Sequence, residues 1–315
     1  MHYGSYRFTC TLHDNALLPP FRGSTFRGAF GVALKNVVCA LRRNSCDGCL
    51  LVGRCIYART FEIQPHSNES DRSRVVSPPH PYIIRSPFAE ATRMSAGDQF
   101  SFDLILFGEA NEWLPYYICA FDAMEATGIG KKIDRHRSRF SITSVSSDDV
   151  TVYTAIHKTI RPGTWSHDVP SPTEAPEGDG TLVVNFITPL RLKNDNRFSS
   201  LLSFELLQRA VLRRVSALHT AFGSGDPPLD YRGLVTAAKK VEILSSTLQW
   251  QDWRRWSNRQ DDEMSLGGLI GAITYQGAIG RFLPLIEQAR LFHLGKQTSF
   301  GLGAFDYSWR PEGGP

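Results

Sequence analysis

Neither an export signal nor a membrane span is expected from the sequence pattern. Its start, Met1-His2-Tyr3-Gly4-Ser5-Tyr6-Arg7, has no apolar run behind a basic one, so no signal peptide is expected. The longest uncharged run, Met264 to Gly280, is broken by five glycines and carries Tyr275 and Gln276, which makes a poor membrane span. A soluble, cytoplasmic protein with no membrane partner is the expectation. Cysteine is scarce, with six in 315 residues, and four of the six fall in one short stretch. Net charge is small too, at +4 from 35 basic and 31 acidic residues. Hydrophobic residues, at 42%, suffice for a buried core and exclude global disorder; the length suits two domains or one large one.

The small net charge is unevenly placed. Lys131-Lys132-Ile133-Asp134-Arg135-His136-Arg137-Ser138-Arg139 holds five basic residues and one acid, so it carries +4 and the rest of the chain sums to zero. A basic face on an otherwise balanced protein points to a polyanion partner.

Near the C-terminus stands His293-Leu294-Gly295-Lys296-Gln297-Thr298-Ser299-Phe300-Gly301-Leu302-Gly303-Ala304-Phe305. Gly295, Gly301 and Gly303 permit positive φ and a bare backbone, Lys296 adds a point charge, and Thr298 and Ser299 add hydroxyls. Such a loop suits a phosphate-bearing ligand. It is not a nucleotide-binding P-loop, because Gly-Lys opens it and a strand, not a helix, follows.

This loop resembles the C-terminal glycine-rich loop of the RAMP superfamily, and within it the CRISPR precursor-RNA-processing endoribonucleases. Leu18-Pro19-Pro20-Phe21-Arg22-Gly23-Ser24-Thr25-Phe26-Arg27-Gly28-Ala29-Phe30-Gly31 resembles that family's opening strand-to-helix turn, and Leu266-Gly267-Gly268-Leu269-Ile270-Gly271 is similar to a further family segment. The resemblance implies tandem RNA-recognition-like units facing one another across a basic cleft. It also implies metal-independent cleavage of CRISPR repeat RNA into guide crRNA, by attack of a 2′-hydroxyl on the adjacent phosphate, leaving a 2′,3′-cyclic phosphate. Repeat RNA, crRNA and other subunits of a CRISPR effector complex are the implied partners.

Periodicity gives an α+β chain of two ferredoxin-like (RRM-like) units. Tyr6 to Leu12 alternates as a strand, Phe26 to Leu41 has helical spacing with Ser24 placed to cap it, and Arg59 to Gln64 reads as a strand. Gln99 to Gly108 is the clearest strand, Trp113 to Ala126 a helix, and Phe140–Val145 with Thr151–Ile156 a hairpin. This outlines β-α-β-β-α-β over 1–160. The proline- and glycine-rich stretch 161–180 is the expected linker. In 181–315 come a strand at Thr181–Ile187, a helix at Phe198–Phe222, an alternating then aromatic-basic run from Val241 to Trp256, a helix at Arg281–Leu291, the loop and a final strand.

An insertion at 39–57 carries Cys39, Cys46, Cys49 and Cys55, spaced C-x6-C-x2-C-x5-C. In a cytosolic chain these favour a metal over disulfides, and four thiolates suit zinc or a [4Fe–4S] cluster. The spacing matches the cluster loop of endonuclease-III-like DNA glycosylases, which nothing else here resembles. With all four positions filled, the role is structural, and catalysis needs no cofactor.

The implied cleavage needs a base, an acid and a cation. Many members of the resembled family carry a histidine on or near the first helix, whereas residues 24–43 hold none. His293 with Lys296 on the same loop is the first choice for base and cation, and His13, beside the loop leading into the first helix, is next. An arginine- or tyrosine-based site stays open beside these. Lys131, Lys132, Arg135, Arg137 and Arg139, with Gly295, Gly301 and Gly303, are the RNA-binding candidates, and Trp250, Trp253 and Trp256 offer rings for stacking. The second reading is a non-catalytic RAMP subunit that binds crRNA. A third, an iron–sulfur protein of the DNA-repair type, rests on the cysteine spacing alone.

Overall fold

Alternation along Tyr6, Phe8, Cys10 and Leu12 turns these four side chains inward and makes their strand the centre of the first sheet. The computed structural model describes residues 1–42, 45–62, 78–88, 92–171, 178–194, 197–198, 202–252, 254–257 and 262–313. These form an α+β protein of two units, Met1–Asp168 with Ala221–Gly223, and Val169–Thr220 with Ser224–Pro315.

The first unit runs β1 (His2–Leu12), α1 (Gly23–Val38), α2 (Ile56–Phe61), β2 (Tyr82–Arg85), β3 (Gln99–Phe107), α3 (Leu114–Thr127), β4 (Ile129–Ile133), β5 (His136–Ser138), β6 (Phe140–Ser147) and β7 (Val150–Thr154). Its antiparallel sheet has the order β7-β6-β1-β3-β2. Taking β1, β2, β3 and β6 as the four strands of a split β-α-β unit, the order is 4-1-3-2. Phe30 of α1 stacks on Phe121 of α3 with centroids 4.5 Å apart, and Phe8, Phe26 and Phe102 close the aromatic core beneath them. Such ring pairs add about 1 kcal/mol each to their area burial.

The second unit runs β8 (Gly180–Leu190), α4 (Phe204–Phe222, whose last two residues belong to the first unit), α5 (Tyr231–Ala238), β9 (Glu242–Ser246), β10 (Gly268–Gly277), α6 (Leu283–Phe292) and β11 (Phe305–Pro311). Its sheet order, β9-β10-β8-β11, is again 2-3-1-4 for the four successive strands, with Gln249–Gln251 added against β10. Phe204 stands edge-on to Tyr275 and Phe282, and the Tyr275 hydroxyl donates to the Leu202 carbonyl at 2.9 Å. No described helix is long and apolar enough to cross a membrane.

Three local expectations are corrected. The stretch from Arg59 is helical: α2 places Tyr57 and Phe61 one turn apart against Phe30 and Tyr82, and Ile63 and Gln64 lie outside the described residues. The second strand is Tyr82–Arg85 instead, a four-residue run whose first three side chains are all buried, so it shows no alternation to detect. Ser24 does not cap α1; Arg22 holds the N-cap place, its side chain making no capping hydrogen bond, and Ser24 is buried in the first turn. The long helix of the second unit starts at Phe204, because Arg197–Phe198 pairs as a strand with Lys193–Asn194.

Candidate functional site

The basic stretch is a β-hairpin. β4 and β5 are joined by a two-residue turn, with Asp134 and Arg135 at φ 48° and 71° and Ile133 opposite His136. Both central residues at positive φ make the turn that matches strand twist. Residues 131–137 are all exposed. Gly128, φ 65°, lets β4 leave α3 beside the Arg137 carbonyl, 2.7 Å from where a Cβ would stand. Arg137 donates from Nη1 to the Gly130 carbonyl at 2.9 Å, which leaves its remaining N–H groups facing outward.

Arg139 differs from its neighbours. The Asp14 carboxylate accepts from its Nε at 2.9 Å, its Nη2 at 3.1 Å and its backbone N–H at 3.1 Å. Those hydrogen bonds hold the Asp14 carboxyl down at about 2. Lys131, Lys132, Arg135 and Arg137 against Asp134 therefore leave about +3 on the hairpin. Ser138 donates from Oγ to the Asn15 carbonyl at 2.7 Å, and the His13 N–H donates to the Arg139 carbonyl at 2.9 Å. Residues 13–15 thus zip the hairpin's root to the end of β1.

His13 stands at that root. Its Nε2 lies 3.6 Å from Oε1 of Glu125 on α3, and both side chains are about half exposed. An imidazole held by a carboxylate at the foot of a basic, solvent-facing hairpin can exchange a proton with a bound polyanion.

The glycine-rich loop is held from the second unit's own sheet. The register of β8 shifts between Phe186 and Leu190, and this irregularity turns Thr188 to Arg191 toward the loop. Thr188 Oγ1 donates to the Gly301 carbonyl at 2.8 Å and accepts from the Ala304 N–H at 2.9 Å. The Gly303 N–H donates to the Pro189 carbonyl at 3.1 Å, and the Lys296 N–H to the Arg191 carbonyl at 3.0 Å. Many of the loop's N–H groups thus serve the fold, among them also those of Leu294, Phe300 and Gly301. The Lys296 side chain is exposed and free to meet solvent.

His293 sits on the inside of this loop. It ends α6 at φ 55°, is 1% exposed, and its Nδ1 lies 3.3 Å from the Leu302 carbonyl. Lys296 and the His293 ring are therefore on different sides of the loop, one in solvent and one in the interior.

Cys39 closes α1 and Cys55 opens α2, with turns between them. All six cysteines are free thiols, and among the described residues no group of three or more His, Cys, Asp or Glu side chains is arranged to hold a metal ion. Trp250 is 40% exposed and donates from Nε1 to Asp252 at 3.0 Å. Trp253 and the side chain of Trp256 lie outside what is described.

Comparison with known proteins adds to this geometry. A family model described as CRISPR-associated endoribonuclease Cas6 matches residues 184–305, and a model described as an N-terminal domain matches residues 1–164. The Cas6 match lies within the second unit, Ala221–Gly223 apart. An uncharacterized protein of Archaeoglobus fulgidus is 24% identical over 298 residues, covering 91% of this chain and 92% of that protein. A Cas6 product complex superposes with a TM-score of 0.56 at 13% identity, over 97% of this chain and 99% of the other. Thermus thermophilus Cas6 gives 0.54 at 12%, over 97% and 98%. A partial Cas6-RT-Cas1--Cas2 complex gives 0.57 at 12%, over 98% of this chain and 46% of that one. These likenesses establish a Cas6-like fold of tandem domains.

Within the second unit, two supporting residues escape sequence reasoning. Arg214 of α4 is half-buried and donates from Nε and Nη2 to the Phe292 carbonyl at 3.1 and 2.9 Å. Burial pushes its pKa down to about 9, so it keeps its charge at neutral pH against the negative end of α6, one residue before His293. Sequence shows an arginine on a long helix and no hint of its burial. His219, near the end of α4, bonds through Nε2 to Gln288 at 3.1 Å, and burial lowers its pKa.

Proposed function

We propose that this chain is an endoribonuclease that cuts CRISPR repeat transcripts into guide crRNAs. The observation that carries the reading is the His13–Glu125 pair at the root of an exposed basic hairpin, in a chain whose second unit matches the Cas6 model. Lys131, Lys132, Arg135 and Arg137 contact RNA phosphates, and Arg139 anchors the hairpin through Asp14. The Gly295–Gly303 loop of the second unit adds Lys296 as a further phosphate contact. His293, buried, holds that loop in shape.

The proposed reaction needs no metal. His13 takes the proton of the 2′-hydroxyl at the cut site, and the 2′-oxygen attacks the neighbouring phosphorus. The bond from phosphorus to the 5′-oxygen breaks, and that oxygen leaves with a proton from an acid. The products are a 2′,3′-cyclic phosphate and a 5′-hydroxyl, and a cation eases the charge on the phosphorane. Each unit acts as one RAMP domain, 1–160 and 181–315, joined by 161–180. One neighbour is a product complex and another an assembly with RT, Cas1 and Cas2, so repeat RNA, crRNA and other CRISPR proteins are the proposed partners.

The test is cleavage of a labelled repeat RNA in excess EDTA, with analysis of the product ends. A single cut leaving a cyclic phosphate, lost when the 2′-hydroxyl at the cut site is removed, supports the enzyme. A second reading, a crRNA-binding subunit without catalysis, is favoured by the absence of histidine from residues 24–43. Tight, salt-sensitive binding without a cut would establish that reading.

A further inference from the structure

One motif of the chain has no part in the proposed reaction: the stretch from Cys39 to Cys55 that joins α1 to α2. Among its described residues there is no helix or strand, only turns and open chain. Its burial pattern inverts what hydrophobicity alone would produce. Leu41, Leu50 and Leu51 face solvent at 47, 94 and 45% exposure, while the residues less than exposed are Cys39, Cys46, Cys49, Val52 and Cys55. The four cysteines are half-buried while the leucines face outward. A single valine gives this stretch no hydrophobic centre to fold around.

The thiols also share a neighbourhood. The Cys49 N–H donates to the Cys46 carbonyl and the Val52 N–H to the Cys49 carbonyl, both at 3.1 Å. The helices at either end already touch: the Phe61 ring lies tilted against Phe30 with centroids 5.5 Å apart, and a Cβ on Gly31 would meet the Phe61 ring at 3.1 Å.

We infer that Cys39, Cys46, Cys49 and Cys55 close around a thiophilic metal centre, a zinc ion or an iron–sulfur cluster, that staples the end of α1 to the start of α2. Each thiol gives its proton to solvent as its sulfur binds, so four thiolates replace four thiols. All four positions being filled by protein, the centre holds the turn and takes no substrate. The four sulfurs draw together only on binding, since no coordination shell is assembled among the described residues.

The test is metal analysis of the full chain purified anaerobically, with acid-labile sulfide and visible absorption measured on the same sample. About one zinc per chain, or about four irons with equal sulfide and a broad visible band, is expected. In the native protein the exposed Cys119 thiol then reacts rapidly with a thiol reagent, while the four sulfurs react only after denaturation with chelator. Cys119→Ser leaves the metal content unchanged, and Cys46→Ser lowers it. If Cys46→Ser fails to fold, the wild-type metal count decides. Metal below about one tenth per chain, even after reconstitution with zinc or with iron and sulfide, overturns the inference. So does rapid reaction of all four thiols in the native protein. Neither readout involves RNA, so failure here leaves the proposed nuclease untouched.

Discussion

The Nε2 of His13 and the Oε1 of Glu125 face each other at 3.6 Å across the root of the basic hairpin. One comes from the end of β1 and the other from α3, so the pairing is set by tertiary structure. If His13 is the base, His13→Ala lowers the single-turnover rate of repeat cleavage by about 10²- to 10⁴-fold. RNA affinity should change less than about threefold, because the hairpin cations stay in place. Glu125→Gln should cost about tenfold, through loss of a partner that orients the ring. Wild-type rates in His13→Ala would exclude this assignment and move the search to other residues.

Salt dependence separates the hairpin cations from the one that is already satisfied. Each phosphate contact contributes a slope of about −0.7 to log affinity against log salt for single-stranded RNA. Lys132→Ala and Arg135→Ala should each flatten the slope by about that amount. Arg139→Ala should flatten it little, since Asp14 occupies its guanidinium. Equal flattening in all three would mean that the ion pair opens on binding RNA.

Much of this architecture is legible in sequence because alternation and helical spacing report burial on one face. Strands β1 and β8 and helices α1 and α6 follow that rule. Tyr82–Arg85 does not, because its first three side chains are all buried. The basic character of 131–139 is plain from composition, yet its hairpin form depends on Asp134 and Arg135 adopting positive φ, which neither residue type demands. His293 looks like a site residue because it adjoins Gly295 and Lys296; its burial depends on Leu302 and the rest of the loop folding back over it. Proximity of His13 to Glu125 spans more than a hundred residues, beyond the reach of any local pattern.

Asp14 makes the hairpin root pH-sensitive at the acid end. Hydrogen bonds from Arg139 depress its folded pKa to about 2, against about 3.9 for an unfolded aspartate. Stability from this pair is therefore complete above about pH 4 and is lost as pH falls through about 2. In thermal melts, Asp14→Asn should melt below wild type at neutral pH, with the gap narrowing toward pH 2. The effect is small, since the carboxylate is in solvent and screened. A gap that stays constant down to pH 2 would show that the carboxylate's charge contributes nothing there.

The loop glycines are set by close backbone approach, which makes their substitution a test of the loop itself. Gly303, at φ 72°, would place a Cβ into the Leu294 carbonyl, and Gly295, at φ 84°, would place one 2.5 Å from the Arg191 carbonyl. Gly97 has a similar φ of 89° with no heavy atom within 4 Å of the added carbon. Gly97→Ala should thus cost about 1 kcal/mol, the backbone penalty alone. Gly303→Ala and Gly295→Ala should cost roughly 2–4 kcal/mol, because backbone must also move. Urea denaturation gives the comparison directly. If all three variants lose the same stability, crowding against Leu294 and Arg191 does not matter. The glycines would then be kept for access of a ligand to the loop, and RNA affinity of Gly303→Ala would fall without a matching loss of stability.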